Sequence, residues 1–181
     1  MNDEIIYQPR TGEEMAKATL NAPIYLYSEL CKQVKKHGIR RVLSHMFSIS
    51  PHSVILLQDP EKMSSGHWMS LSIHPGKKQI YYFSTYGGKP DVEKNEWMTE
   101  DDLLMSGQEP NIFNDGLKDM QKSGWEIHYN DHPYQKPGDN TATCGIYTAA
   151  FIRSGMNPEE FYQNHKRHHL TPHDYYKAYF K

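Results

Sequence analysis

Of the two cysteines in the chain, Cys31 and Cys144, the second stands where a thiol can be made reactive. It lies in "DNTATCGIYTAAFIRSG", residues 139–155, a helical pattern that stops at Gly155. Asp139, Asn140, Thr141 and Thr143 are all candidate caps, so the helix starts at or just before Cys144. Unpaired backbone N–H groups and the positive end of the helix dipole favour thiolate over thiol at such a position. Gly145 leaves room for a substrate backbone to approach, although glycine inside a helix costs roughly 1 kcal/mol relative to alanine. A nucleophilic thiol needs a base, and 11 histidines compete for that role. His67 in "GHWMSLSIH" stands out because it opens a strand and is followed by Trp68, an aromatic wall against water. Imidazole beside thiol can form a thiolate–imidazolium pair. The pattern alone leaves the plainer alternative open, a buried cysteine in a helix and a histidine at a strand end.

The elements around these residues follow an α+β pattern, helices before and after a mainly antiparallel sheet. "SELCKQVKKHG" (28–38) has Ser28 as a possible N-cap, Leu30 and Val34 on one face and Gly38 as a stop; Cys31 falls near the apolar face and reads as a small buried side chain. "SVILLQ" (53–58) is continuously apolar, as a central strand is. "HWMSLSIH" (67–74) alternates, and "QIYYFST" (79–85) follows across "HPGKK", which predicts a hairpin. The acidic stretch 91–109 reads as surface loop and short helix, 109–124 as a helix ended by Gly124, and 125–131 as a further strand. "NPEEFYQNH" and "TPHDYYKAYF" predict two terminal helices with proline at the first turn. Residues 1–24 are polar and read as a peripheral, loosely attached arm or a lead-in helix, and 1–181 as one domain whose C-terminal helices occupy 156–181.

Twenty Lys plus Arg against 22 Asp plus Glu argue against a chain that coats nucleic acid through bulk charge. The start of the chain lacks the apolar core of a signal peptide and no run reaches transmembrane length, so no membrane is expected as a partner. Two cysteines cannot make a disulfide scaffold, which points to free thiols in a reducing interior. "HKRHHLTPH" (165–173) spaces His165, His169 and His173 by four, but without cysteine or carboxylate partners it reads as a solvated tail rather than a metal site. No metal or cofactor is expected.

Taken in order, "SPHSVILLQDP", "GHWMSLSIHPGKKQIYYFSTYGG" and "YQKPGDNTATCG" resemble the adenain-type cysteine proteases of adenovirus maturation and their wider clan. That clan includes the ubiquitin-like-protein proteases and the core proteases of large DNA viruses. The resemblance covers about residues 40–155 and has the clan's order of histidine, glutamine and cysteine, the reverse of papain's. It implies a papain-like fold in circularly permuted order, with the nucleophile at a helix N-terminus. Carried over, Cys144 is the nucleophile and His67 the general base and acid. The amide of Gln135, with the backbone N–H of Cys144, stabilises the oxyanion. Trp68 walls the cleft and Gly145 is the close-approach position. Two departures stand out. The acidic partner of the histidine is replaced by Ser84, which can orient an imidazole but carries no charge; Asp91 is a substitute if its loop folds back. Gln135 precedes Cys144 by nine positions, slightly more than in the family, with Asn140 as the next amide.

The expected function is an adenain-type cysteine endopeptidase that cleaves viral capsid or core precursors at glycine-containing sites, in the virion or the host cytoplasm or nucleus. The alternatives are a protease that removes ubiquitin-like modifiers and an inactive docking module; an acyltransferase is a fourth. An activating peptide or nucleic acid is implied only by the resemblance, with Cys31 as the one free thiol for peptide attachment.

Overall fold

The computed structural model describes residues 5–136 and 141–181. Its centre is a five-stranded mixed sheet in the order β1 (Ile24–Leu26), β2 (His52–Gln58), β3 (Gly66–His74), β4 (Gln79–Ser84), β5 (Glu126–Tyr129). The β2–β3 and β3–β4 pairings are antiparallel, whereas β1 pairs with β2, and β5 with β4, in parallel. The expected α+β class with helices flanking a sheet is present, but the sheet is more mixed than the hairpin pattern suggested. Both parallel edges are made by short strands that a chain crossing over from helices supplies, and such long-range pairing leaves little local signature.

Helices cover both faces. On one side lie α2 (Tyr27–His37), α3 (Ile39–Ile49) and α6 (Ile112–Lys122), whose Leu30, Leu43, Phe113 and Leu117 join Ile55, Leu57, Met69, Leu71 and Tyr82 in one core. On the other, α7 (Cys144–Ser154) packs with α8 (Pro158–Arg167) and α9 (Pro172–Tyr179) on the opposite faces of the same strands. β2 is buried on both sides, which is why its sequence is apolar without alternation. Two further helices, α4 (Val92–Trp97) and α5 (Glu100–Ser106), lie between β4 and α6. α8 and α9 begin with proline behind Asn157 and Thr171, each closing a capping box with the acidic residue three positions on.

Three expectations require correction. The N-terminal segment contains a lead-in helix, α1 (Gly12–Ala18), but it is not loosely attached: Ile6, Arg10, Met15 and Ala18 are buried. The Arg10 guanidinium donates to the carbonyls of Ile5 and Gln8 and pairs with Glu14, while its backbone carbonyl accepts from Trp68 Nε1 at 3.0 Å. Tertiary bonds of this kind, not local apolar density, hold the segment. Ser28 does not cap α2; its hydroxyl and backbone N–H both donate to Gln58 Oε1. The stretch 91–109 forms the expected short helices and is largely exposed, but its first turn is not surface, because Asp91, Glu93 and Lys94 are all buried. Asp91 takes a left-handed backbone (φ 67°) that turns α4 inward, held by its carboxylate accepting from Tyr27 Oη at 2.6 Å and the Asn114 N–H at 2.8 Å. Lys94 Nζ donates to the carbonyls of Gln108, Glu109 and Pro110, which explains how an ammonium is tolerated there.

Candidate active site

Cys144 is the first residue of α7, and the turn ahead of it is capped by Thr143 through its backbone conformation alone, with no side-chain cap bond. Asp139 and Asn140, two of the expected caps, lie outside the described residues, as does Asn140 as an alternative amide. α7 is the central helix on its side of the sheet: every residue from Cys144 to Ile152 is buried. It is seated on β3 through Thr148, whose hydroxyl donates to the Trp68 carbonyl at 3.1 Å. One helix and one strand therefore fix the sulfur relative to the adjacent pair His67–Trp68.

Cys144, His67, Trp68 and Gln135 all line one cavity of about 440 Å³, with Tyr86, Thr141 and Ala142 on its wall and Tyr7 and Pro9 of the N-terminal segment at its side. His67 Nε2 is 2.9 Å from Ser84 Oγ, and its Nδ1 has no partner among the described residues. The ring is stacked on Tyr86 at 4.2 Å between centroids, an orientation the Ser84 bond and the stack determine together. Ser84 is in turn held through its backbone: its N–H donates to Asn130 Oδ1 at 3.1 Å, and Asn130 Nδ2 donates to its carbonyl at 2.6 Å. Asn130 was not marked by the sequence, since a lone asparagine past a strand end resembles any loop residue.

Gln135 is buried, with Oε1 accepting from the Thr143 hydroxyl at 3.0 Å and its backbone N–H reaching the Thr85 carbonyl. Since its carbonyl oxygen is engaged, the amide NH₂ is the group left for a ligand in the cavity. Thr143, proposed only as a cap, thus does something else: it connects the residue before Cys144 to the amide. Asp91 does not stand in for an acidic partner of His67, because both its oxygens are taken by α2 and α6. Gly145 is also misplaced by the sequence argument. A Cβ there would meet Arg10 Cγ at 2.7 Å and Met15 Sδ at 3.0 Å, so it admits the N-terminal segment and does not line the cavity.

Burial governs the protonation states. It drives the His67 imidazole down to about 3 and pushes the Cys144 thiol up, against the opposing pull of the Trp68, Gly145 and Cys144 backbone N–H groups. The thiol and the imidazole that line this cavity accordingly both rest neutral, rather than with the thiolate that a helix N-terminus alone predicts. Deep enclosure outweighs the dipole. Cys31 is buried too, with its thiol pushed up to about 12, and cannot serve as an attachment point for a peptide. No cluster of three or more His, Cys, Asp or Glu suited to a metal occurs among the described residues, and no helix there is long and apolar enough to cross a membrane.

Comparison with known proteins gives three kinds of result. No curated protein matches the sequence. Among solved structures, the SUMO protease Ulp1 with its catalytic cysteine oxidised to a sulfinic acid shares 18% identity, at a TM-score of 0.39, over 86% of this chain and 65% of that one. The Chaetomium thermophilum Ulp1-like SUMO protease catalytic domain shares 16% at a TM-score of 0.41, over 81% and 61%. The C-terminal Ulp1 protease domain in complex with Smt3, the yeast orthologue of SUMO, shares 17% at 0.39, over 86% and 65%. The chain thus spans less than two thirds of these structures' own length. The family profile described as "Ulp1 protease family, C-terminal catalytic domain" matches residues 20–177, so the chain belongs to the Ulp1 family of cysteine proteases.

Proposed function

We propose that this domain hydrolyses the bond that follows the C-terminal glycine of a ubiquitin-like modifier, with Cys144 as nucleophile, His67 as general base and acid, Ser84 as its orienter and Gln135 as oxyanion donor. The observation that carries this reading is the placement of His67: Nε2 is engaged by Ser84, Nδ1 has no partner among the described residues, and the residue lines the same cavity as Cys144. In the chemistry that follows, Cys144 Sγ attacks the scissile carbonyl carbon as its proton passes to His67 Nδ1. The Gln135 amide and the Cys144 N–H receive the oxyanion, a donor of this type being worth about 3 kcal/mol in other enzymes. His67 returns the proton to the leaving amine, and water then releases the acyl group from sulfur. Substrate binding that expels water from the cavity strengthens each of these interactions. On this reading the site is papain-like in permuted chain order.

The adenain-type reading, processing of capsid or core precursors in a virion, rests on the local segment around Cys144, whereas the family match favours the modifier proteases. A single assay separates them. The protein and Cys144→Ala are incubated with a modifier–fluorophore conjugate, Gly-Gly-containing peptides and a thiol alkylator. Cys144-dependent cleavage of the conjugate in preference to the peptides is expected. Preference for the peptides moves the substrate class to precursors, and absence of both cleavage and selective alkylation near neutral pH removes the catalytic role of Cys144.

A further inference from the structure

Ser84 stands where an acid would complete the centre, and its hydroxyl has a hydrogen to place. Its Oγ faces His67 Nε2 at 2.9 Å and the Tyr86 backbone N–H at 3.4 Å. When Nε2 carries its proton, both neighbours are donors and fill the two lone pairs, so the Ser84 O–H must find an acceptor elsewhere. Glu93 supplies one. It is 4% exposed at the start of α4, and Tyr82 Oη, two residues before Ser84 on the same face of β4, donates to its Oε1 at 2.6 Å. Its second oxygen, Oε2, is buried with no hydrogen-bond partner among the described residues, an arrangement that costs free energy unless it is used. Ser84 is among the groups that favour the charged form of this carboxyl. The left-handed turn at Asp91 and the bonds that hold it are what bring Glu93 to this place.

We propose that Glu93 is a positioning residue of the catalytic centre, its carboxylate accepting from the Ser84 hydroxyl so that Ser84 holds His67 with its proton on Nε2 and its lone pair on Nδ1 toward Cys144. The inference rests on the assignment of Cys144 and His67 as nucleophile and base. Glu93 takes no proton during turnover: the thiol proton goes to Nδ1, and the carboxylate stabilises the resulting imidazolium across the serine. A protonated Glu93 reverses the chain. It then donates to Ser84 Oγ, Ser84 donates to Nε2, and the imidazole proton moves to Nδ1, where it blocks uptake of the thiol proton. Burial raises Glu93 to about 7, which places the reversal in an accessible range. The other titratable groups around it are Tyr82 on β4, Asp91 and Lys94 on its own segment, Tyr27 and Cys31 on α2, and His67 on β3; Tyr82, Tyr27 and Cys31 are pushed up and His67 down to about 3.

The test uses the full chain and two readouts that need no substrate. Cys144 alkylation by iodoacetamide is followed against pH in wild type, Glu93→Gln, Ser84→Ala and the double variant. The wild-type rate is expected to rise through an inflection near the Glu93 value of about 7, and Glu93→Gln to lose that inflection and slow alkylation above it by about tenfold or more. The double variant is expected to match Ser84→Ala. An unchanged inflection in Glu93→Gln, or additive losses in the double variant, overturns the proposal. In parallel, nitrogen-15 NMR of His67 in the wild-type protein is expected to report the Nε2–H tautomer above neutral pH and a growing Nδ1–H share below it. A tautomer that stays constant across that range overturns it even if Glu93→Gln fails to fold. Should Cys144 show no selective alkylation at all, the protease assignment of the site fails, and the histidine tautomer still decides the link to Glu93.

Discussion

The Thr143 hydroxyl donates to Gln135 Oε1 at 3.0 Å, so the residue immediately before Cys144 fixes the amide on the other side of the cavity. Gln135→Ala is expected to lower kcat by about 10²–10³ with little change in KM, because an oxyanion donor acts mainly in the transition state. Thr143→Val keeps the donor but frees its rotation. Its kcat should fall between those of the parent and Gln135→Ala, with a stability loss of about 1–3 kcal/mol from the unpaired buried oxygen. Steady-state kinetics on a modifier conjugate, with chemical denaturation alongside, check both values.

Ser84→Ala removes the acceptor at His67 Nε2 and leaves the ring held by the Tyr86 stack alone. A decrease in kcat of about tenfold or more is expected, as is usual when an orienting hydrogen bond is deleted. Ser84→Asp places a charge against the imidazole and should raise its pKa from the present value of about 3. Kinetics and NMR titration of the His67 ring measure the two effects, and an unchanged rate in Ser84→Ala would remove Ser84 from the catalytic machinery.

The two buried titrating groups bend stability with pH in opposite senses. His67 falls from 6.5 to about 3 on folding, so between those values the unfolded chain binds the proton and the native one does not. The native state therefore weakens as pH drops through that window. Glu93 rises from 4.5 to about 7, so its contribution is present below 4.5 and is lost as pH climbs through 7. His67→Gln should flatten the acid side of a plot of Tm against pH, and Glu93→Gln should flatten its neutral side. Thermal melts over the range establish whether the two slopes separate.

At Gly145 the clash of a new Cβ with Arg10 and Met15 predicts a packing defect rather than a cleft effect. Gly145→Ala is expected to destabilise by about 1–3 kcal/mol in urea denaturation. Substitution by serine should be worse still, while the alkylation rate of Cys144 in the remaining native protein stays close to that of the parent.

Much of the sheet was legible because its strands carry their own signal: β2 is continuously apolar, β3 alternates, and the aromatic run of β4 follows it across a proline–glycine turn. The helix start at Cys144 and the prolines opening α8 and α9 were equally local. α3 was not anticipated, since its apolar face lies between two better-marked elements, and the three-residue edge strand β1 is too short to declare itself, whereas β5 falls within the strand read at 125–131. The acidic composition of the stretch from Asp91 concealed the burial of its first turn. Nothing in the order Asp91-Val92-Glu93-Lys94 tells which charges will be paid for by Tyr27, Tyr82 and three carbonyls drawn from distant segments.

By itself the sequence singled out Cys144 and His67, and through its resemblance Gln135 and Ser84, together with most of the elements around them, because helix starts, strand alternation and turns are local properties of the chain. Tertiary structure alone decided how those groups are charged and who supports them. It buried the thiol and the imidazole so that both rest neutral, gave Gly145 to the N-terminal segment, tied Gln135 to Thr143, and buried Glu93 against Tyr82. Desolvation and hydrogen bonding between segments far apart in sequence depend on which surfaces meet, and a linear pattern does not contain that.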